Sequence, residues 1–176
     1  ACAGWLSGSP VRVCTVIAFP HGETLSEAKA AEARAAVAAG AAELDMVVSR
    51  SAVLAGEWGA VEADVRAVVE AGQGATVKVI LETAGLPDDA IVRAARASVA
   101  GGAHFVKTST GFGEGGATVE AVRLLRETVG PDVGVKASGG IRNAKQARAM
   151  IDAGANRLGC SAGVAIVRGE SSATDY

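Results

Sequence analysis

The sequence predicts an α/β protein in which parallel strands alternate with helices, and within that class a (β/α) barrel. Strand-like and helix-like segments alternate along the whole 176 residues. Three segments share one phase: "AGAAELD" at 39–45, "GGAHFVK" at 101–107 and "AGANRLG" at 153–159 each follow an alanine-rich helical pattern, carry a glycine and enter a strand. Glycine past a helix end takes the left-handed conformation that lets the chain turn. Strand starts recur near the ~30 residues of a strand–helix–strand unit, which makes the sheet parallel and its crossovers right-handed.

In chain order, apolar and β-branched runs predict strands at Val11–Phe19, Glu43–Val48, Thr76–Glu82, Phe105–Thr108, Gly134–Ser138 and Arg157–Cys160. The alanine-rich and amphipathic stretches between them predict helices at Ser26–Ala39, Gly59–Ala71, Pro87–Ala100, Thr118–Val129 and Asn143–Ala153. No linker or compositional break interrupts the series, so residues 1–169 read as one domain, followed by a polar tail at 170–176 that ends in Tyr176. The first strand-to-helix turn, "AFPHGETLS", is not a glycine-rich dinucleotide fingerprint, and no GxGxxG follows any strand. Polar groups collect instead at strand ends (Asp45, Glu82, Lys107, Lys136, Ser161), where a barrel gathers its active site.

Composition narrows the function. Hydrophobic residues make up 49% of the chain and the net charge is −2 with both signs interspersed, which argues against nucleic acid or an anionic membrane as the partner. Apolar stretches are broken by charges well short of the ~18 residues of a membrane span. Cys2, Cys14 and Cys160 are odd in number and lack CxxC spacing, and together with the absence of a leader-like start they suit a reducing cytoplasm. His21 and His104 show no spacing of a metal site or triad, so neither is given a catalytic role.

Two lysines carry the chemistry. Lys107 in "HFVKTSTGF" and Lys136 in "VGVKASGGIR" each end an apolar strand and enter a small-residue loop. Neighbouring strands lie about 4.8 Å apart, so inward-pointing lysines on consecutive strands repel. Repulsion and partial burial lower the pKa of at least one of them and free an amine, which can attack a carbonyl and form a Schiff base. Sequence physics alone does not choose between the two. Asp45 in "ELDMVV" ends a strand in the same phase as Lys107; it suits a proton carrier, an ion-pair partner, or both. Lys78 in "TVKVILET" lies near the beginning of its strand and reads as a structural lysine whose ammonium reaches water. The loops "SGGIRN" and "GCSAGVA" follow the last two strands and lead into helices, which suits anion binding by backbone amides and places Gly139, Gly140 and Ser161 around a phosphate.

These segments together resemble the deoxyribose-phosphate aldolase family. "TVIAFPHG", "ELDMVV", "VKVILET", "FVKTSTGF", "VKASGGIR" and "GCSAGVAI" stand in the family's order from about Val11 to Gly169. The resemblance implies a (β/α)8 TIM barrel. It implies Lys107 as the Schiff-base lysine, Lys136 as the lysine that depresses its pKa, and Asp45 as the proton-relay acid. It adds Thr110 and Gly111 to the residues around substrate and phosphate. The implied reaction is reversible cleavage of 2-deoxy-D-ribose 5-phosphate to D-glyceraldehyde 3-phosphate and acetaldehyde with neither a metal nor an organic cofactor, so the expected partners are a sugar phosphate and an aldehyde; a homodimer stays open. Another class I sugar-phosphate aldolase and a non-catalytic barrel remnant are the competing readings. Relatives place a first strand, first helix and second strand before the segment that matches here, so those elements are expected to be missing. His21 in "FPHG", the loop "ETAGLPDD" and Phe112, which stands where some relatives carry lysine, depart from the pattern.

Overall fold

The computed structural model describes residues 1–169; the tail at 170–176, with Tyr176, lies outside the described residues. The chain runs α1 (Cys2–Trp5), β1 (Cys14–Ile17), α2 (Ser26–Ala38), β2 (Glu43–Val47), α3 (Arg50–Ala55), α4 (Trp58–Ala71), β3 (Thr76–Ile80) and α5 (Asp88–Ala100). It continues through β4 (Phe105–Lys107), α6 (Val119–Val129), β5 (Gly134–Ser138), α7 (Ala144–Asp152), β6 (Arg157–Gly159) and α8 (Gly163–Arg168). The six strands form one parallel sheet in sequence order, a half-barrel with β1 and β6 at its edges. No helix among the described residues is long and apolar enough to cross a membrane.

Alternation along each strand separates two faces. Leu44, Met46, Val77, Val79, Val106, Val135 and Ala137 are buried in one cluster with Ala33, Val61, Val65, Val68, Ala94, Ala95, Val122 and Leu125 of the helices. The alternate residues Glu43, Asp45, Lys78, Lys107 and Lys136 occupy the other face. Register sets their heights: Asp45 pairs with Lys78, Lys78 with Phe105, and Lys107 with Lys136.

The expected elements exist at shifted ends. The strand expected at Val11–Phe19 is only Cys14–Ile17 long: its partner ladder begins at Cys14↔Glu43, and Ala18 adopts a left-handed φ of 55° that ends extended backbone. Glu82, at φ 57°, likewise lies beyond the end of β3. The six-residue α3 has no counterpart among the expected helices; Ser49 caps its start by accepting from the Ala52 amide, and left-handed Gly56 closes it.

A buried ion pair braces the end of β2. Lys29 on α2 donates to Asp64 on α4 at 2.6 Å and to the Val47 carbonyl at 3.1 Å, while Ser26 donates to the other Asp64 oxygen at 2.8 Å. This holds two helices and the strand that carries Asp45 in fixed relation.

Candidate active site

Asp45 is the hub of the inner face. Its Oδ2 accepts from Lys107 Nζ at 2.8 Å and from Lys136 Nζ at 2.6 Å; its Oδ1 accepts from Lys78 Nζ at 2.8 Å and from the Cys14 thiol at 3.2 Å. Asp45 lies inside β2 rather than at its end, because the ladder with β3 continues through Val47; it stands in register with Lys78, two residues lower in the sheet than Lys107, so the shared phase with Lys107 translates into a diagonal contact. The long lysine side chains bridge that step.

Burial penalises a carboxylate at Asp45, but the ammonium groups of Lys107 and Lys136 outweigh it and hold its pKa well below the usual carboxylate range. For Lys107 the balance falls the other way. Burial pushes its pKa down, Asp45 opposes that, Lys136 adds to the depression, and the net shift is downward. Desolvation therefore ranks above lysine–lysine repulsion in lowering this pKa. Burial also pushes the Cys14 thiol up, with Asp45 adding to it.

The structure corrects the reading of Lys78. Its ammonium does not reach water: the residue is 0% exposed and bonds Glu43 at 2.7 Å and Asp45 at 2.8 Å. β3 is an interior strand, so a side chain on its inner face is walled by neighbours on both sides. Burial works against this ammonium, yet hydrogen bonds to Asp45 and Glu43 prevail and its pKa is raised. Glu43 also takes the exposed Arg157 from β6 at 3.1 Å, so an ionic layer, buried at Glu43 and Lys78 and open at Arg157, ties β2, β3 and β6 beneath Lys107 and Lys136. Sequence reasoning does not reach Lys78, Glu43, Arg157 and Cys14 as members of this network.

Above the lysines, Thr110, Gly111, Gly139, Gly140 and Ser161 all line one cavity of about 240 Å³, at the ends of β4, β5 and β6. Gly111, Gly139 and Gly140 have φ values of 88°, 92° and 75°, a region that favours glycine. A Cβ on Gly139 would also lie 2.8 Å from the Gly116 Cα. The N-terminus of α7 is already capped, because the Asn143 side chain accepts from the Gln146 amide at 2.9 Å. Arg142 lines the same cavity and adds a cation that sequence reasoning passes over in "SGGIR". Phe112 borders it too and meets Phe19 edge-on, with ring centroids 5.3 Å apart. His104 serves the backbone beside it, since its Nδ1 accepts from the Val77 amide at 3.1 Å. Among the described residues no group of three or more His, Cys, Asp or Glu could hold a metal.

Replacing Lys136 by Leu removes one like charge and gives Asp45 more fully to Lys107. Both effects raise the Lys107 pKa. The acid limb of the pH–rate profile is expected to move to higher pH, with turnover at neutral pH reduced by about 10²-fold; an unmoved limb would remove Lys136 from this role.

Three lysines converging on one carboxylate, on the inner face of a parallel α/β sheet, suit an enzyme that works through a lysine amine. Comparison with known proteins agrees with that class. Residues 6–170 match the DeoC/LacD family aldolase, and the chain belongs to this family. It is 58% identical over 170 residues to the deoxyribose-phosphate aldolase of Exiguobacterium sp. (strain ATCC BAA-1283 / AT1b), covering 97% of this chain and 77% of the relative. It is 54% identical over 170 residues to that of Streptococcus uberis, with the same two coverages. Among solved structures, the aldolase QR15 superposes with a TM-score of 0.86 at 41% identity, covering 90% of this chain and 72% of that one. The deoxyribose phosphate aldolase of Aeropyrum pernix, described as tetrameric, gives 0.86 at 37% identity, covering 94% and 70%.

Proposed function

We propose that the protein is a class I deoxyribose-phosphate aldolase that cleaves 2-deoxy-D-ribose 5-phosphate reversibly through an imine on Lys107. The observation that carries this reading is buried Lys107 and half-buried Lys136 sharing one oxygen of Asp45 beside the glycine-lined cavity. The neutral Lys107 amine adds to the C1 aldehyde of the open-chain sugar, and loss of water leaves a protonated imine. Its nitrogen draws in the electron pair of the C2–C3 bond while the C3 hydroxyl gives up its proton, so C3 leaves as the aldehyde of D-glyceraldehyde 3-phosphate. The remaining enamine takes a proton at C2, and hydrolysis of the imine releases acetaldehyde and restores Lys107. Asp45 and Lys136 relay the protons, through water where the gap requires it.

The 5-phosphate sits against Thr110, Gly111, Gly139, Gly140 and Ser161, with Arg142 as the nearby cation. In this reading the six strands belong to a (β/α)8 TIM barrel and residues 1–169 to one catalytic domain. The setting is cytoplasmic, and a homodimer is the assembly that sedimentation would test. Turnover of 2-deoxy-D-ribose 5-phosphate, measured by release of D-glyceraldehyde 3-phosphate, tests the reading; turnover of other sugar phosphates alone would overturn it. Phosphate-free 2-deoxyribose is expected to show a KM raised by about 10²-fold, with kcat much less affected, because the phosphate contacts lie away from the bond that breaks. Equal KM values for the two sugars would count against the cavity as the phosphate site.

A further inference from the structure

We propose that Glu82 is the positioning residue for the phosphate-facing loop after β4, and through that loop a determinant of selectivity for phosphorylated over phosphate-free sugars. This rests on the aldolase reading above. Glu82 follows the end of β3, is 9% exposed, and has φ 57° and ψ 57°, a conformation that residues other than glycine rarely adopt and that concentrates at functional sites. Its carboxylate accepts from the Thr110 hydroxyl at 2.5 Å and from the Thr110 amide at 3.2 and 3.4 Å. Thr110 Oγ1 in turn accepts from the Phe112 amide at 3.0 Å. Gly113 comes so near that a Cβ there would stand 3.0 Å from Glu82 Oε1. The segment from Thr110 to Gly113 is thus wrapped around one buried carboxylate.

The anchor is rigid on its own side. The Leu81 amide donates to the Lys107 carbonyl and the Thr83 amide to the Thr108 carbonyl, each at 2.9 Å, so Glu82 is held between two rungs joining β3 to the end of β4. What it holds faces the ligand: Thr110 and Gly111 form the β4 wall of the cavity opposite Gly139 and Gly140. A carboxylate offers acceptors to both Thr110 donors and makes the stronger, charge-assisted bonds, whereas glutamine keeps one acceptor oxygen and brings donors of its own. The arrangement also sets a discriminating sign. Were Glu82 merely a charge near the phosphate, removing it would improve phosphate binding; as a positioning group its loss weakens binding.

The test compares wild type, Glu82→Gln and Glu82→Gly, the last chosen because the left-handed backbone suits glycine and the fold is retained. Kinetics are measured with 2-deoxy-D-ribose 5-phosphate and with 2-deoxyribose, and binding of inorganic phosphate is titrated separately. Glu82→Gly is expected to raise KM for the phosphorylated sugar and Kd for inorganic phosphate about tenfold. KM for the phosphate-free sugar and both kcat values should stay within about twofold. Glu82→Gln should fall between wild type and Glu82→Gly. A KM ratio between the sugars that does not change, a lower KM in Glu82→Gln, or unchanged phosphate affinity in Glu82→Gly would overturn the assignment. If the wild type turned over neither sugar, the aldolase reading would fail, and the phosphate titration would still decide the role of Glu82.

Discussion

Lys107→Met is expected to abolish the covalent adduct with acetaldehyde and to lower turnover of 2-deoxy-D-ribose 5-phosphate by on the order of 10⁴-fold or more, as removal of a nucleophile does. Methionine keeps the unbranched apolar stem and fills the same strand-end space. Asp45 still accepts from Lys136 at 2.6 Å and Lys78 at 2.8 Å, so no buried carboxylate is orphaned and the variant should fold. Borohydride reduction in the presence of acetaldehyde, followed by peptide mapping, should place a two-carbon addition on Lys107 in the wild type and none on the variant. An addition confined to Lys136, or turnover in Lys107→Met close to wild type, would move the imine elsewhere. What the structure adds to spacing is burial: Lys107 is the more deeply buried of the two lysines, and burial drives its pKa down even against its contact with Asp45.

That difference shows which parts of the molecule are legible in sequence. The glycine phase of "AGAAELD" and "GGAHFVK" records the turn out of a helix and the number of residues to the strand end. It therefore locates Lys107 at the end of β4, and the twin loops locate the glycine cavity, because each such signal lies within one strand–loop unit; Asp45 and Lys136 fall inside β2 and β5, since those strands run on past them where the neighbouring ladder continues. Lys78 escapes this reading because its environment comes from Glu43 and Asp45 on a neighbouring strand, and no local pattern in "TVKVILET" reports what the adjacent strand carries. Arg157 meets Glu43 from the opposite edge of the sheet, a contact across 114 positions that only the curvature of the half-barrel creates. Strand ends slip for a related reason: a strand stops where its partner's ladder stops or where a residue such as Ala18 or Glu82 turns left-handed, and Ala and Glu give no warning of positive φ.

Asp45→Asn is expected to separate amine chemistry from proton transfer. An asparagine in this position turns amide N–H groups toward ammonium groups, and Lys107 and Lys136 lose the carboxylate oxygen they share. Leaving buried cations without their partner costs about 3–5 kcal/mol, a large part of the ~5–15 kcal/mol that stabilises a domain, so thermal unfolding should shift down by many degrees while Lys78 keeps Glu43. The Lys107 pKa, already depressed, loses the group that opposed its burial and falls further. A folded-state lysine with a depressed pKa binds fewer protons than the unfolded chain from that pKa up to the ordinary lysine value near 10.4, so its effect on stability becomes less unfavourable as pH rises through that window. In the variant the window widens toward lower pH. The carboxylate follows the same slope in a lower window: the stability Asp45 contributes above the usual aspartate pKa of about 3.9 and loses as pH falls is absent from the variant, which should therefore lose stability less steeply in acid. With its amine more available, the variant should still trap acetaldehyde on Lys107, and the acid limb of the remaining rate should lie at lower pH than in the wild type, opposite to Lys136→Leu. Turnover should nonetheless drop by about 10²–10⁴-fold, because the proton relay is gone. A variant that traps acetaldehyde and also turns over within about tenfold of wild type would reduce Asp45 to an electrostatic anchor and assign the proton transfers to Lys136 and solvent.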